Sequence, residues 1–552
     1  MKSKISLCNK TVLLKDILRF APLWGLYLAG GLLVMHSSTK HMLSDTLAIS
    51  LSYRIGAMSV ANLIYGALCA LLLFGELFDV RRCRTLHATP VRRETWFSTH
   101  VLAGLSFSLL PNLIMALTLM PRLEGYWPDA LLWLLGVELE FLFFFGLAMF
   151  CVMLAGNRFA AVAIYGILNF GALLIQWFVP TLYEPLLYGV ELDLDILTVF
   201  CPVIYLCGRT TVIYSSNWLS STFVRKTYGW PVGSVFEGIE KSWQYLVILA
   251  VLGIALGTAA LLLYRRRNLE RAGDALTVKA LEPVFVVAFS LFVGGLLAFL
   301  GSLYANYLLF LAVGLLLGWI AAQMLIQRTV RIFRLRSFVG FALLVAILAS
   351  TFAITKADPL NVSGWLPDAA QVESVTIDYD IGFYSFDYPK PITLAQKDNI
   401  QEVIELHEDV MEDRLPIPWK DKTETVRFIY RMQNGMTVSR QYAVNSEMKV
   451  LLKKFYSKAE YVLGYTDWEE YIQKPHYIQI SERGLRGEDA KSLLKAIKAD
   501  CEAGYMAQKW TYHYCDEQYT LYIDFVYGGP GGIKLLVYAD AKNTIAWIEA
   551  NT

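Results

Sequence analysis

Two carboxylates stand inside an otherwise apolar run, Glu138 and Glu140 within Leu131–Met153. A carboxylate at membrane depth is costly, so such a residue must face a cavity, a neighbouring helix or a proton. Two residues apart on a helix, the pair projects to different sides. That disfavours a paired acid/base centre and leaves a substrate path, a proton-sensitive position or a polar lock between helices. Asn112, after Pro111 in another apolar run, is a third residue of this kind. The other reactive side chains assemble less. His87 and His100 have no partners at ligand spacing, and His407-Glu408 does not continue to HExxH, so a zinc-hydrolase reading fails and no metal is expected. No GxSxG nucleophile turn occurs. A membrane enzyme using Glu138, Glu140 or His100 as acid or base therefore lacks a constellation. GxxxxGK[ST] is also missing, which excludes a Walker-type ATP site in this chain. The one glycine-dense stretch, Gly528–Gly532, joins two strand-like runs and reads as a hairpin turn. The eight cysteines form no CxxC pair. Cys201 with Cys207, and Cys501 with Cys515, could pair in an oxidising compartment, and for each the reduced thiols stay open as the alternative.

The elements that carry these residues follow from composition. The chain is 56% hydrophobic and 18% charged, where a soluble domain is nearer a quarter charged. A net charge of +1 gives no general attraction to nucleic acid. Nine apolar spans are predicted, at 20–36, 55–77, 98–120, 130–155, 159–179, 244–264, 282–301, 304–327 and 337–355, each near the roughly 20 residues that cross a bilayer. Residues 1–19 read as a basic interfacial helix. With that end inside, the inner loops hold Arg81 to Arg93, Arg158, Arg265-Arg266-Arg267 and Arg328 to Arg336, whereas the short outer loops hold only Lys40, Arg54 and Arg122. This positive-inside pattern directs residues 356–552 outside. The outer loop 180–243 carries two apolar pieces, Leu182–Val190 and Leu194–Leu206, each too short to span and expected to dip into the membrane or pack over the bundle. Residues 356–552 read as an α+β domain. Strands are expected at 372–387, 425–432, 436–444, 510–527 and 533–549, with helices at 398–412, 446–457 and 487–503. Asn434-Gly435 marks a hairpin.

Between the second and third spans lies FGELFDVRRCRTLHATPVRRETWF, Phe74 to Phe97. Val80, Cys83 and Leu86 recur every three residues among arginines, so a short amphipathic helix is predicted, ended near Pro90. Phe74-Gly75-Glu76-Leu77-Phe78, the Arg81–Arg84 run, Leu86-His87-Ala88-Thr89-Pro90-Val91 and Arg92-Arg93-Glu94 resemble the corresponding loop of ABC-2-type transporter permeases, in a long form from Gram-positive, clostridia-like bacteria. The resemblance covers residues only in this loop, and the arrangement of spans over about the first half of the chain. It implies a polytopic α-helical membrane protein of a bacterial plasma membrane. The implied parts are an interfacial helix at 1–19 and a six-span domain at 20–264 with coupling loop 78–97. Three additional spans at 265–355 and an extracytoplasmic α+β domain at 356–552 depart from the six-span pattern. It further implies ATPase coupling through Arg81, Arg82, Arg84, Leu86, Pro90, Arg92, Arg93 and Glu94. The chain itself would be no enzyme. ATP and magnesium would be held by a separate ATPase dimer, and a second permease subunit would pair with this one. The expected function is ATP-driven export of a hydrophobic, peptide or lipid-like substrate such as an antimicrobial peptide. The large outer domain supports an alternative, an ATPase-coupled sensor or mechanotransducer acting on an extracellular ligand or protein.

Overall fold

The computed structural model describes residues 8–36, 44–88, 91–122, 127–210, 235–267, 273–303, 306–330, 335–380, 391–413, 425–444 and shorter stretches between 455 and 551. The N-terminal half is helical: α1 Lys10–Arg19, α2 Ala21–His36, α3 Ser44–Leu73, α4 Val80–His87, α5 Arg93–Leu119, α6 Trp127–Leu154, α7 Arg158–Tyr183, α8 Pro202–Thr210 and α9 Val235–Arg266. Next come α10 Glu282–Ser302, α11 Tyr307–Gln327 and α12 Leu335–Ala357. The C-terminal part contains β1 Val372–Asp380, β2 Ile392–Leu394, α13 Lys397–Asp413, β3 Thr425–Met432 and β4 Thr437–Ala443. It continues with β5 Ile478–Ile480, β6 Arg483–Leu485, α14 Gly487–Glu502, β7 Met506–Gln508, β8 Tyr519–Phe525, β9 Ile533–Tyr538 and α15 Lys542–Asn551.

Among the described residues, eight helices are long and apolar enough to cross a membrane, which is the make-up of a polytopic membrane protein. A ninth exists only if α1 and α2, bent by 56°, make one span. The 16 residues of α2 alone reach about 24 Å, short of a hydrocarbon core of about 30 Å. Asn9 caps α1, its Oδ1 accepting from the Thr11 and Val12 amides at 3.1 and 3.3 Å.

Chain contacts divide the protein into two units. The first runs from the N-terminus through Phe178 and resumes at Leu194 as far as Ala349, so α10, α11 and most of α12 cluster with the helices before them. Its core is α6, whose Trp133, Phe141, Phe144 and Phe145 are fully buried. Glycines set the closest approach: a Cβ on Gly146 would lie 2.2 Å from the Gly253 carbonyl oxygen, and one on Gly253 2.4 Å from that of Leu142, so α6 and α9 meet backbone to backbone. Gly314 and Gly318 of α11 face Gly294 and Ser290 of α10 in the same way, as their GxxxG spacing leads one to expect.

The second unit joins residues from Ser350 onward to Val179–Asp193. Its described residues form two antiparallel sheets, ordered β2-β1-β3-β4 and β6-β5-β8-β9-β7. The β3–β4 hairpin turns at Gly435, whose φ of +82° suits glycine. One expected strand is corrected. β9 stops at Tyr538, and 542–551 is helical because the buried Asp500 carboxylate binds the Asn543 Nδ2 at 2.8 Å and the Thr544 amide at 2.6 Å, capping α15. The expected helix 446–457 lies largely outside the described residues, as do Gly528–Gly532.

The two apolar pieces of the outer loop part company. Leu194–Leu206 packs on the first unit: the 3-10 turn Asp195–Phe200 is held by Gln176, whose Nε2 donates to Asp195 Oδ1 at 2.9 Å, and α8 buries Val203 and Leu206. Leu182–Val190 joins the second unit instead, where Val190 bridges to Arg440 and the Gln441 amide donates to the Gly189 carbonyl at 2.9 Å. Gly189 has φ +71°, and a Cβ there would strike the Tyr442 ring.

Candidate functional site

The predicted amphipathic helix exists as α4. Asp79 starts it, with Oδ1 accepting from the Arg81 and Arg82 amides at 2.8 and 3.2 Å. Those same bonds hold the Asp79 carboxyl below its ordinary range. Cys83 faces inward and is 1% exposed, while Arg81, Arg82 and Arg84 face out. Burial pushes the Cys83 thiol up, with Arg267 and Arg93 pulling the other way. The Leu86 side chain and Pro90 lie outside the described residues. Arg92 is exposed ahead of α5.

Arg93 and Glu94 both bond within the helical unit. The Arg93 Nη1 donates to the Arg265 and Arg267 carbonyls at 3.2 and 3.3 Å, and Glu94 pairs with Arg265 at 3.2 Å. The second half of the loop is therefore tied to the C-terminus of α9, whose free carbonyls suit a cation. The first half is tied by Arg267. This guanidinium is 6% exposed and donates to the Val152 and Leu77 carbonyls, each at 3.1 Å. Burial draws it down to about 10, so it stays charged at neutral pH. Sequence reasoning read Arg267 only as part of a topology signal. A bond to a backbone carbonyl leaves no mark in the sequence, so nothing singled it out from Arg265 and Arg266.

Beside α4, α1 docks on α5. Asp16 and His100, 5% and 7% exposed, meet at 2.8 Å between Oδ2 and Nδ1, and the Asn9 amide donates to Thr99 Oγ1 at 3.1 Å. Arg19 approaches Glu76 at 3.6 Å. His100 thus has a structural partner that the sequence did not reveal.

In the bundle interior, Glu138 and Glu140 do diverge. Glu140 accepts from Ser59 Oγ at 2.8 Å and Asn62 Nδ2 at 3.2 Å, both on α3. Glu138 accepts from Ser108 Oγ at 2.9 Å and Asn112 Nδ2 at 2.8 Å, both on α5. The Tyr27 hydroxyl of α2 donates to Asn62 Oδ1 at 2.9 Å. The arrangement is a polar lock of α3 and α5 onto α6, and His100 takes no part in it. Among the described residues no group of three His, Cys, Asp or Glu assembles as a metal site.

Cys201 and Cys207 are not joined: Cys201 is buried and the Cys207 thiol donates to the Gly56 carbonyl at 3.2 Å. Cys501 is buried, with its thiol pushed up to about 12 by that burial, and Cys515 lies outside the described residues. In the second unit, Glu191 accepts from Ser439 Oγ and pairs with Arg427 at 2.9 Å. The buried His407 sits between the hydroxyls of Tyr430 and Tyr442, at 2.9 and 2.8 Å. Compared with known proteins, the chain matches no family model, no curated protein and no solved structure.

Proposed function

We propose that this chain is the membrane subunit of an ATP-driven transporter of the ABC-2 type in a bacterial plasma membrane, with its N-terminus inside and residues 356–552 outside. A separate ATPase dimer would dock on loop 78–97, and a second permease subunit, identical or related, would complete the pathway. The observation that carries this reading is α4. A short helix stands between two membrane-length helices, points Arg81, Arg82 and Arg84 outward and is flanked by Leu77 and Arg93, which are bonded to Arg267 and to the end of α9. A lever must be rigid to transmit the difference between two states of a motor, and the carbonyl bonds of Arg93 and Arg267 supply that rigidity. The positive-inside distribution supports the orientation. The few polar groups of the helical interior suit a hydrophobic, peptide or lipid-like cargo such as an antimicrobial peptide. Charge reversal of Arg81, Arg82 and Arg84 together is expected to abolish ATPase capture while leaving membrane insertion intact. Equal capture by wild type and variant would sink the proposal, as would labelling of α4 from outside intact cells.

A second reading, a transducer acting on an extracellular partner, has its own support in the second unit. The segment after α7 and the segment after α12 both bind β4, through Gly189 and Val190 and through Val362. A sheet gripped by two segments that follow membrane-length helices is suited to receive movement from them. ATP hydrolysis in reconstituted vesicles that changes partner binding without moving cargo would favour this reading over transport.

A further inference from the structure

Glu140 has no exposed surface, and only neutral groups meet its carboxyl: the Ser59 hydroxyl and the Asn62 amide. Glu138, partly buried, is met by the Ser108 hydroxyl and the Asn112 amide. The titratable groups that face the pair are themselves acids: Tyr27 from α2 and Tyr65 from α3 toward Glu138, and Tyr27 and Cys207 from α8 toward Glu140. From α5 come only Ser108 and Asn112, and from α9 no charged group acts on either carboxyl. Among the described residues, no Lys, Arg or His balances the two. Two anions in an apolar bundle without a cation would each carry a desolvation cost that nothing offsets. A proton on each carboxyl removes that cost. The hydroxyl contacts at 2.8 and 2.9 Å serve a carboxylic acid as well as a carboxylate, because serine can accept as readily as donate.

A separate observation points the same way. Asn112 is fully buried; its Nδ2 bonds Ser108 and Glu138, yet its Oδ1 has no hydrogen-bond partner. A buried amide oxygen left unpaired is expensive. Turning the Asn112 amide over exchanges Oδ1 with the Nδ2 that meets Glu138 at 2.8 Å, and in that placing the oxygen accepts the acid proton of Glu138.

We propose that Glu138 and Glu140 form a proton-binding site, occupied as carboxylic acids in this packing, which locks α3 and α5 onto α6 and releases its protons when those seams open. The seam thus becomes an element whose closure depends on protons, and any cycle that parts α3 or α5 from α6 exchanges protons with the surroundings. This holds whether or not an ATPase docks on α4.

The test is infrared spectroscopy of the full-length protein in lipid nanodiscs at neutral pH, with glutamate carrying a 13C side-chain carboxyl. Label-shifted acid C=O bands are expected in the wild type, with one band lost in Glu140→Gln and the other in Glu138→Gln. A wild type showing only carboxylate bands overturns the proposal, and needs no variant to fold. So does an acid band that survives in the double variant, since it then arises elsewhere. Carboxylate bands that move on adding sodium or potassium would make the pair an alkali-cation site instead, and would equally refute proton binding.

Discussion

Replacing Arg267 with methionine tests whether loop 78–97 is held as a rigid piece. Methionine keeps much of the side-chain volume but removes both donors, leaving the Leu77 and Val152 carbonyls, each bonded at 3.1 Å in the native protein, without them. A buried carbonyl that loses its partner costs about 1–3 kcal/mol, so two together weaken the anchorage by about 3 kcal/mol. The loop carries its own reporter in Cys83, 1% exposed on the inward side of α4. If α4 must lift for a maleimide to reach that thiol, labelling follows the opening equilibrium. At 1.36 kcal/mol per decade, about 3 kcal/mol accelerates it roughly 100-fold. The assay uses a variant in which Cys83 is the sole cysteine. Arg266→Met, at an exposed neighbour in the same run, serves as the control and should leave the rate alone. Unchanged labelling in a folded Arg267→Met protein would refute the claim that this buried guanidinium fixes the loop.

Gly253→Ala places a Cβ against the Leu142 backbone, whereas Gly257→Ala meets only the tip of Met149 at 3.4 Å. The first should lower thermal stability in detergent by roughly 1–3 kcal/mol and the second should not. Asp500→Ala removes the cap of α15 and should destabilise the second unit by about 1–2 kcal/mol, read as a lower midpoint in denaturant. Burial draws His407 down to about 3, below the ordinary imidazole value of about 6.5. Between those values the unfolded chain binds more protons, so this contribution to stability is complete above about pH 6.5 and is lost as the pH falls toward 3. His407→Phe should flatten that part of the pH–stability curve, and an identical slope would exclude His407 as its source.

What the sequence made legible was what periodicity and turn chemistry encode. Val80 and Cys83 fall on the short helix that their spacing requires, Asn434-Gly435 makes its hairpin, and the three long helices after residue 281 lie where the apolar runs lie. The divergence of Glu138 and Glu140 also followed from helix geometry alone. Their partners did not: Ser59, Asn62 and Ser108 are small polar residues in apolar runs, each no different in sequence from many that only soften a helix. Residues 179–193 read as a loop beside a span because their partner strand, β4, comes some 250 residues later in the chain, and pairing to an edge strand is written in backbone groups. Lys542–Asn551 read as strand because its short apolar pattern suits either state. The deciding group, Asp500, sits on another helix.

Both units solve one problem with one device. A loop must be held against a helix end or a sheet edge, where carbonyls lack partners. In the first unit Arg267 reaches two such carbonyls from separate elements; in the second Arg440, 4% exposed, donates to the Val362 carbonyl at 2.9 Å while its own backbone bridges Val190. Burial draws both guanidiniums below their ordinary range, yet Arg267 at about 10 remains charged in water near neutrality. A lysine would not serve as well. Its ammonium is a compact, strongly hydrated point charge that gives up its proton when buried, whereas the planar fork offers donors in several fixed directions and keeps its charge. Such an anchor resists shear in more than one direction and does not depend on a carboxylate partner that acid could neutralise. Loops fixed this way move only with the elements that grip them, which is the property a segment needs if force is to pass through it.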